Sequence, residues 1–139
     1  KTSYLFAGWL EKGRSFRALG KAKEALHAFD TVLTYADRDK NPTIYYEALA
    51  YSIRVLNSQK DERKVKDAAV RGLVVLEMSP PFDSKELSIW VQAVYVEAAR
   101  SFSLLGREEK ASETQQAYLA KFLDGAFRRE ILSLPAKAF

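Results

Sequence analysis

The chain contains no cysteine, and among its 139 residues there is a single histidine and a single methionine. The absence of cysteine excludes disulfides, thiolate nucleophiles and cysteine-ligated metal sites. A metal site or a general base needs several convergent groups, so His27 alone predicts neither. Glycine-rich phosphate loops, zinc-ligand spacings and nucleophile elbows do not occur in the sequence. We therefore expect a protein without enzymatic activity, without a metal and without any other cofactor.

Long apolar runs are also missing. The longest apolar segment, residues 72–78, contains Glu77 and is far shorter than the roughly 18 residues of a membrane span, so we expect no membrane insertion. The chain begins at Lys1 without a methionine or an apolar signal segment, which favours a fragment of a longer protein. The sequence leaves open the compartment, cytoplasm or bacterial periplasm and envelope, and the oligomeric state.

Charge of one sign does not dominate. The net charge is +4, from 22 basic and 18 acidic residues. Binding of nucleic acid normally requires a clustered basic stripe, whereas segment 60–67, KDERKVKD, interleaves both signs as a solvated helix face does. We expect no nucleic-acid partner.

Apolar residues at three- and four-residue spacing run through the whole chain, and no stretch shows the alternation of a strand. This pattern predicts an all-α protein. The predicted helices span residues 3–19, 21–36, 42–58, 61–78, 83–105, 107–123 and 127–132.

Local signals mark the helix ends. Gly20 and Gly106 are predicted left-handed stops, and because Arg63 stands in the corresponding place of the middle pair, the turn there is assigned to Asn57, Ser58 and Asp61.

Other signals mark helix starts. Asn41 and Pro42 predict an N-cap followed by proline at the first helical position, and Asp83 with Glu86 predicts a capping box.

A fixed step relates the helix pairs. Adding 43 to Ala25 gives Ala68, and adding 43 again gives Ala111. The same step carries Val32 to Val75 and Tyr118, Leu33 to Leu76 and Leu119, Leu10 to Ile53 and Val96, and Gly20 to Arg63 and Gly106. A period of this length indicates stacked supersecondary units, none of which buries its apolar face alone.

The first unit carries a recognisable set of residues: Trp9, Gly13 and Phe16 in the first helix, Gly20 at the turn, and Ala25, Phe29 and Val32 in the second helix. With these residues it resembles a tetratricopeptide repeat. Lys12 stands in place of the usual leucine and Asp37 in place of the terminal proline, and the family period of about 34 residues is lengthened to 43. The later units match less well: Ser52 and Gly72 replace large residues in the second, and Gln115 departs in the third.

The resemblance implies a right-handed solenoid of three antiparallel hairpins, a divergent bacterial-type array. Its units would cover about residues 1–40, 41–82 and 83–123, with a capping helix at about 124–133. The family's activity would be that of a protein–protein interaction scaffold or adaptor. A peptide or helix of another protein, with apolar anchors and acidic residues, would bind in the concave groove. The family's contact positions and the aromatic residues beside them map to Tyr4, Leu10, Arg14, Arg17, Tyr46, Ile53, Arg54, Asn57, Trp90, Val96, Arg100 and Leu104.

Alternatives remain open at this point. The chain is also interpretable as a structural or regulatory segment of a larger bacterial assembly, in secretion, motility or the envelope, where the same surfaces pack against neighbouring repeats. Trp90 and Tyr4 would then be packing residues and the arginines solvated surface. Trp9 and Phe29 are predicted to lie in the core, and Leu134 and Phe139 of the tail are candidates to fold back into the groove.

Overall fold

A computed structural model describes residues 2–134, and within them the chain forms seven α-helices and no strand. The all-α prediction is confirmed. The helices are α1 Thr2–Ala18, α2 Ala22–Tyr35, α3 Pro42–Ser58, α4 Glu62–Met78, α5 Lys85–Leu104, α6 Glu108–Lys121 and α7 Arg128–Leu132.

Neighbouring helices in the sequence pack against each other. Within each predicted unit α1 packs on α2, α3 on α4 and α5 on α6, and between units α2 packs on α3 and α4 on α5. The odd-numbered helices also contact one another in order, α1 with α3, α3 with α5 and α5 with α7. Helices α3 and α5 each contact four other helices, and in α5 every residue from 91 to 99 is buried.

The core continues from one helix pair to the next. Between α2 and α3, Phe29 and Val32 pack with Ala48 and Val55. Between α3 and α5 a larger cluster includes Ile53 and Val96. The three alanines related by the 43-residue step, Ala25, Ala68 and Ala111, are all buried.

Glycine ends two helices as predicted. Gly20 and Gly106 each have a φ angle of +74°, a left-handed conformation that glycine adopts without steric cost. The assignment of the middle turn is right for Asp61, which lies between α3 and α4, and wrong for the other two residues. Asn57 and Ser58 belong to the last turn of α3, and Lys60, with a φ of +55°, takes the left-handed position.

The helix starts agree with the sequence in part. Asp61 caps α4, since its carboxylate accepts hydrogen bonds from the backbone N–H groups of Arg63 and Lys64. The predicted Asp83 cap is wrong: Ser84 precedes α5, and its hydroxyl accepts from the N–H of Leu87.

The prediction for the start of α3 also agrees with the structure only in part. Pro42 occupies the first turn as predicted, but the Asn41 side chain makes no capping hydrogen bond.

The predictions for the core residues and for the C-terminal tail agree with the structure in part. Phe29 is fully buried, as expected, whereas Trp9 is only half-buried at the edge of the α1–α2 cluster. Leu134 packs into the cluster around α5. Phe139 lies outside the described residues.

Candidate interaction surface

The structure divides the twelve predicted contact residues by depth. Five of them are at most 6% exposed and lie inside the protein: Leu10, Tyr46, Ile53, Asn57 and Val96. A buried side chain does not touch a separate partner, so the accessible part of the predicted groove consists of the four arginines, Tyr4, Trp90 and Leu104.

Three arginines of the predicted groove are paired within the molecule. Arg14 of α1 binds Glu47 of α3 at 2.5 Å, Arg54 of α3 binds Glu97 of α5 at 3.3 Å, and Arg100 of α5 binds Glu130 of α7. We call these three pairs the ion-pair row. Each pair joins one odd-numbered helix to the next, so the row follows the order in which these helices contact one another.

Glu97 is the most buried charge of the row, with 2% of its side chain exposed. Its carboxylate accepts hydrogen bonds from Arg54, from Arg100 at 3.3 Å and from the Asn57 amide at 3.1 Å. The Ser101 hydroxyl donates to Oδ1 of the Asn57 side chain at 2.7 Å. Since buried charges are tolerated when paired and hydrogen-bonded, this network fixes α3 against α5.

Glu47 shows the opposing effects of burial and charge. Desolvation raises the pKa of its carboxyl above the ordinary value, although the Arg14 guanidinium lowers it. The pKa of Arg14 is itself raised, first by its hydrogen bond to Glu11 and then by the charge of Glu47. Arg14 is therefore occupied by two carboxylates.

Next to the ion-pair row lies a group of aromatic and cationic side chains, Arg17, Tyr51, Arg54 and Trp90, which we call the aromatic patch. The Tyr51 and Trp90 ring centroids are 5.4 Å apart. The guanidinium carbons of Arg17 and Arg54 each lie 5.9 Å from the Tyr51 centroid. The two rings are half-buried and Arg17 is exposed. Among the described residues Arg17 makes no ion pair, so its charge stays available to a partner.

The last two predicted residues lie away from the aromatic patch. Tyr4 is 83% exposed in the first turn of α1. Leu104 lines a hollow of about 570 Å³ between α4 and the turn that joins α5 to α6. The structure does not bring either of them to the aromatic patch.

Sequence reasoning missed Tyr51 and three glutamates, Glu47, Glu97 and Glu130. One signal was present: Arg54 and Glu97 are separated by 43 residues, so opposite charges occupy equivalent places in consecutive units. The separations in the other two pairs, 33 and 30 residues, follow no step.

Other kinds of site find no support in the part of the chain that the structure describes. No group of three or more histidine, aspartate or glutamate side chains in residues 2–134 is arranged to hold a metal ion. None of the described helices combines the length and the apolar character needed to cross a bilayer.

Comparison with known proteins gives no match: no family model, no curated protein and no solved structure is significantly similar to this chain.

Proposed function

We propose that this chain is a non-enzymatic, tetratricopeptide-type scaffold that binds a segment of another protein across α1, α3 and α5. The aromatic patch is the observation that supports this most directly. It combines two half-buried rings with an exposed arginine that has no carboxylate partner among the described residues. Aromatic and arginine side chains of this kind are typical anchors of protein interfaces.

The partner segment follows from the chemistry of the patch. An apolar or aromatic side chain packs on Tyr51 and Trp90, and an adjacent carboxylate pairs with Arg17 in the bidentate geometry that guanidinium groups favour. Because the ion-pair row fixes the neighbouring helices, little order has to be acquired on binding. The arginines of the row hold the helices together and contribute less to the partner.

The variants that test this proposal have to leave the ion-pair row intact. Reversing the charge of Arg14 or Arg100 would break pairs with Glu47 or Glu130 and would change stability as well as binding. Arg17→Glu changes only an exposed side chain. Arg63→Glu is a matched control, because Arg63 is an exposed residue of α4 away from the patch.

The test uses peptides selected from a displayed library of random twelve-residue sequences on the immobilised chain. Their affinities are measured by fluorescence anisotropy. We expect the selected peptides to contain acidic and aromatic residues and to bind Arg17→Glu about fivefold more weakly, the effect of an ion pair worth about 1 kcal/mol. Arg63→Glu should bind as the unaltered chain does. Equal affinity for all three proteins would reject the patch as the site.

A further inference from the structure

The outer face of α1 is apolar and open to solvent. Tyr4 and Leu5 are 83% and 60% exposed, Gly8 is exposed and Trp9 is half-buried. Together with Lys12 these residues line a hollow of about 370 Å³. We call the five residues the α1 face.

A second hollow continues the α1 face toward α2. It has a volume of about 580 Å³ and lies between Trp9 and Phe16 of α1 and the exposed side of α2 around His27. Its charged residues include Lys12 and Lys23 but only one carboxylate, Glu24. The surface is therefore apolar in its floor and predominantly basic at its rim.

Residues of the α1 face have equivalents in later helices, which the 43-residue step identifies. It carries Leu5 to Ala48 of α3, and Ala48 is buried in the cluster with Phe29 and Val32 of α2. It carries Lys12 to Val55, buried in the same cluster. In α3 the positions of Leu5 and Lys12 are thus covered by α2, whereas the same step carries Gly8 to Tyr51, which is only half-buried.

The same face of α5 is covered as well. A further step from Val55 gives Ala98, whose Cβ lies 2.6 Å from the position that a Cβ on Gly72 of α4 would take. At the position of Lys12 both later copies of the face therefore pack against a helix. The α1 face continues this series of interfaces without a helix upon it in the described chain.

Lys12 distinguishes the α1 face from its two copies. Its ammonium nitrogen lies 4.5 Å from the centroid of the Trp9 ring, and it makes no ion pair within residues 2–134. Where α3 and α5 carry buried Val55 and Ala98, α1 thus carries a cation in an apolar surrounding. A helix seated on this face gains by placing a carboxylate against Lys12.

We propose that the α1 face is a docking site for an amphipathic helix of a partner protein, with apolar residues at positions i, i+4 and i+7 against Leu5, Gly8 and Trp9 and with an acidic residue against Lys12. The helix lies on α1 as α2 lies on α3. This site is separate from the aromatic patch and goes beyond the proposed function.

A second copy of this chain does not offer such a helix. The stripe that α2 uses on α3, Phe29 and Val32, is buried, and the step carries Val32 to Val75 and Tyr118, which are buried as well. It carries Phe29 to the buried Gly72 of α4 and to the polar Gln115 of α6. These apolar stripes are buried in the protein's own core and are not available to a second copy, which favours a partner of different sequence.

The experiment uses two synthetic helical peptides that reproduce the α2 stripe, alanine, phenylalanine and valine at i, i+4 and i+7. One carries glutamate and the other lysine at the position facing Lys12. We expect the glutamate peptide to bind the unaltered chain about fivefold more tightly in fluorescence anisotropy, and Lys12→Glu to reverse this preference. Leu5→Asp, at a 60% exposed position where folding is not at risk, should weaken both peptides at least tenfold.

Lys64→Glu is the matched control, because Lys64 is an exposed lysine of α4 outside both hollows, and it should leave the affinities unchanged. Equal binding of the two peptides, or binding insensitive to Leu5→Asp, would overturn the proposal. Dimers in sedimentation velocity that Leu5→Asp abolishes would also overturn it, since they would assign the face to a second copy. None of these outcomes involves Arg17, so the result is independent of the test of the aromatic patch.

Discussion

Glu97 is nearly inaccessible to solvent, and Arg54, Arg100 and Asn57 all donate hydrogen bonds to its carboxylate. Removing this carboxylate takes a hydrogen-bond acceptor from the buried Asn57 amide and an ion-pair partner from Arg54, while Arg100 keeps Glu130. We expect Glu97→Ala to lower the free energy of unfolding by about 1 to 3 kcal/mol, the usual cost of a buried polar group that loses its partner, measured by urea denaturation. Glu62→Ala, at an exposed glutamate paired with Lys66, is the control and should cost about 0.5 kcal/mol or less. Equal losses would mean that the network contributes nothing beyond a surface ion pair.

Because the pKa of Glu47 is raised, we expect this residue to make the stability of the fold depend on pH. When a carboxyl has a higher pKa in the folded than in the unfolded chain, the folded chain binds more protons between the two values, and stability is lost as the pH rises through that window. We expect the wild type to gain stability relative to Glu47→Gln as the pH falls from 7 toward the ordinary glutamate value of 4.5. Denaturation curves at several pH values measure this, and a difference that does not change with pH would contradict it.

The sequence predicted which side chains lie on the same helix face, but it did not predict how far each of them is buried. The 43-residue step correctly related Leu10, Ile53 and Val96, but all three are buried, because a periodic pattern defines a direction around a helix and not how closely the next helix covers it. The partners of Arg14 and Arg100 depend on the packing of α3 and α7 and had no sequence signal.

At the scale of helices, Gly72 permits close packing of α4 on α5. A Cβ at this position would lie 2.6 Å from Ala98 Cβ and 3.2 Å from its Cα, so the two helices would have to separate. We expect Gly72→Ala to lower the free energy of unfolding by about 1 to 2 kcal/mol, overpacking partly offset by better helix propensity. Gly8→Ala is the matched control: nothing lies within 4 Å of its Cβ position, and it should stabilise by about 0.5 to 1 kcal/mol. Thermal denaturation measures both, and two shifts of the same sign would contradict the account.

Helix bounds followed from the sequence to within two residues throughout, including those of α3 and α4. In the α3–α4 turn, the sequence did not predict which residue takes the left-handed conformation. Ala25 is three residues into α2, whereas Ala68 is six residues into α4, so α4 has about one additional turn at its start. Arg63 therefore lies inside the helix. Lys60 adopts a positive φ, which a lysine in the sequence does not predict.

At the scale of the whole molecule, the two ends of the helix series differ. At the end formed by α5 and α6, α7 places Ile131 in the core and Glu130 against Arg100. At the other end, α1 exposes Tyr4 and Leu5. Between the ends, the ion-pair row joins the odd-numbered helices, and the aromatic patch and the α1 face are the two separate surfaces that we propose for partners.

The most direct test of the central proposal is an NMR titration of the ¹⁵N-labelled chain with a peptide selected on it. We expect the backbone chemical-shift changes to concentrate around Arg17, Tyr51 and Trp90, and we expect Arg17→Glu to reduce them at equal peptide concentration. Shifts confined to α4 and α6, with no change at Tyr51 or Trp90, would contradict it.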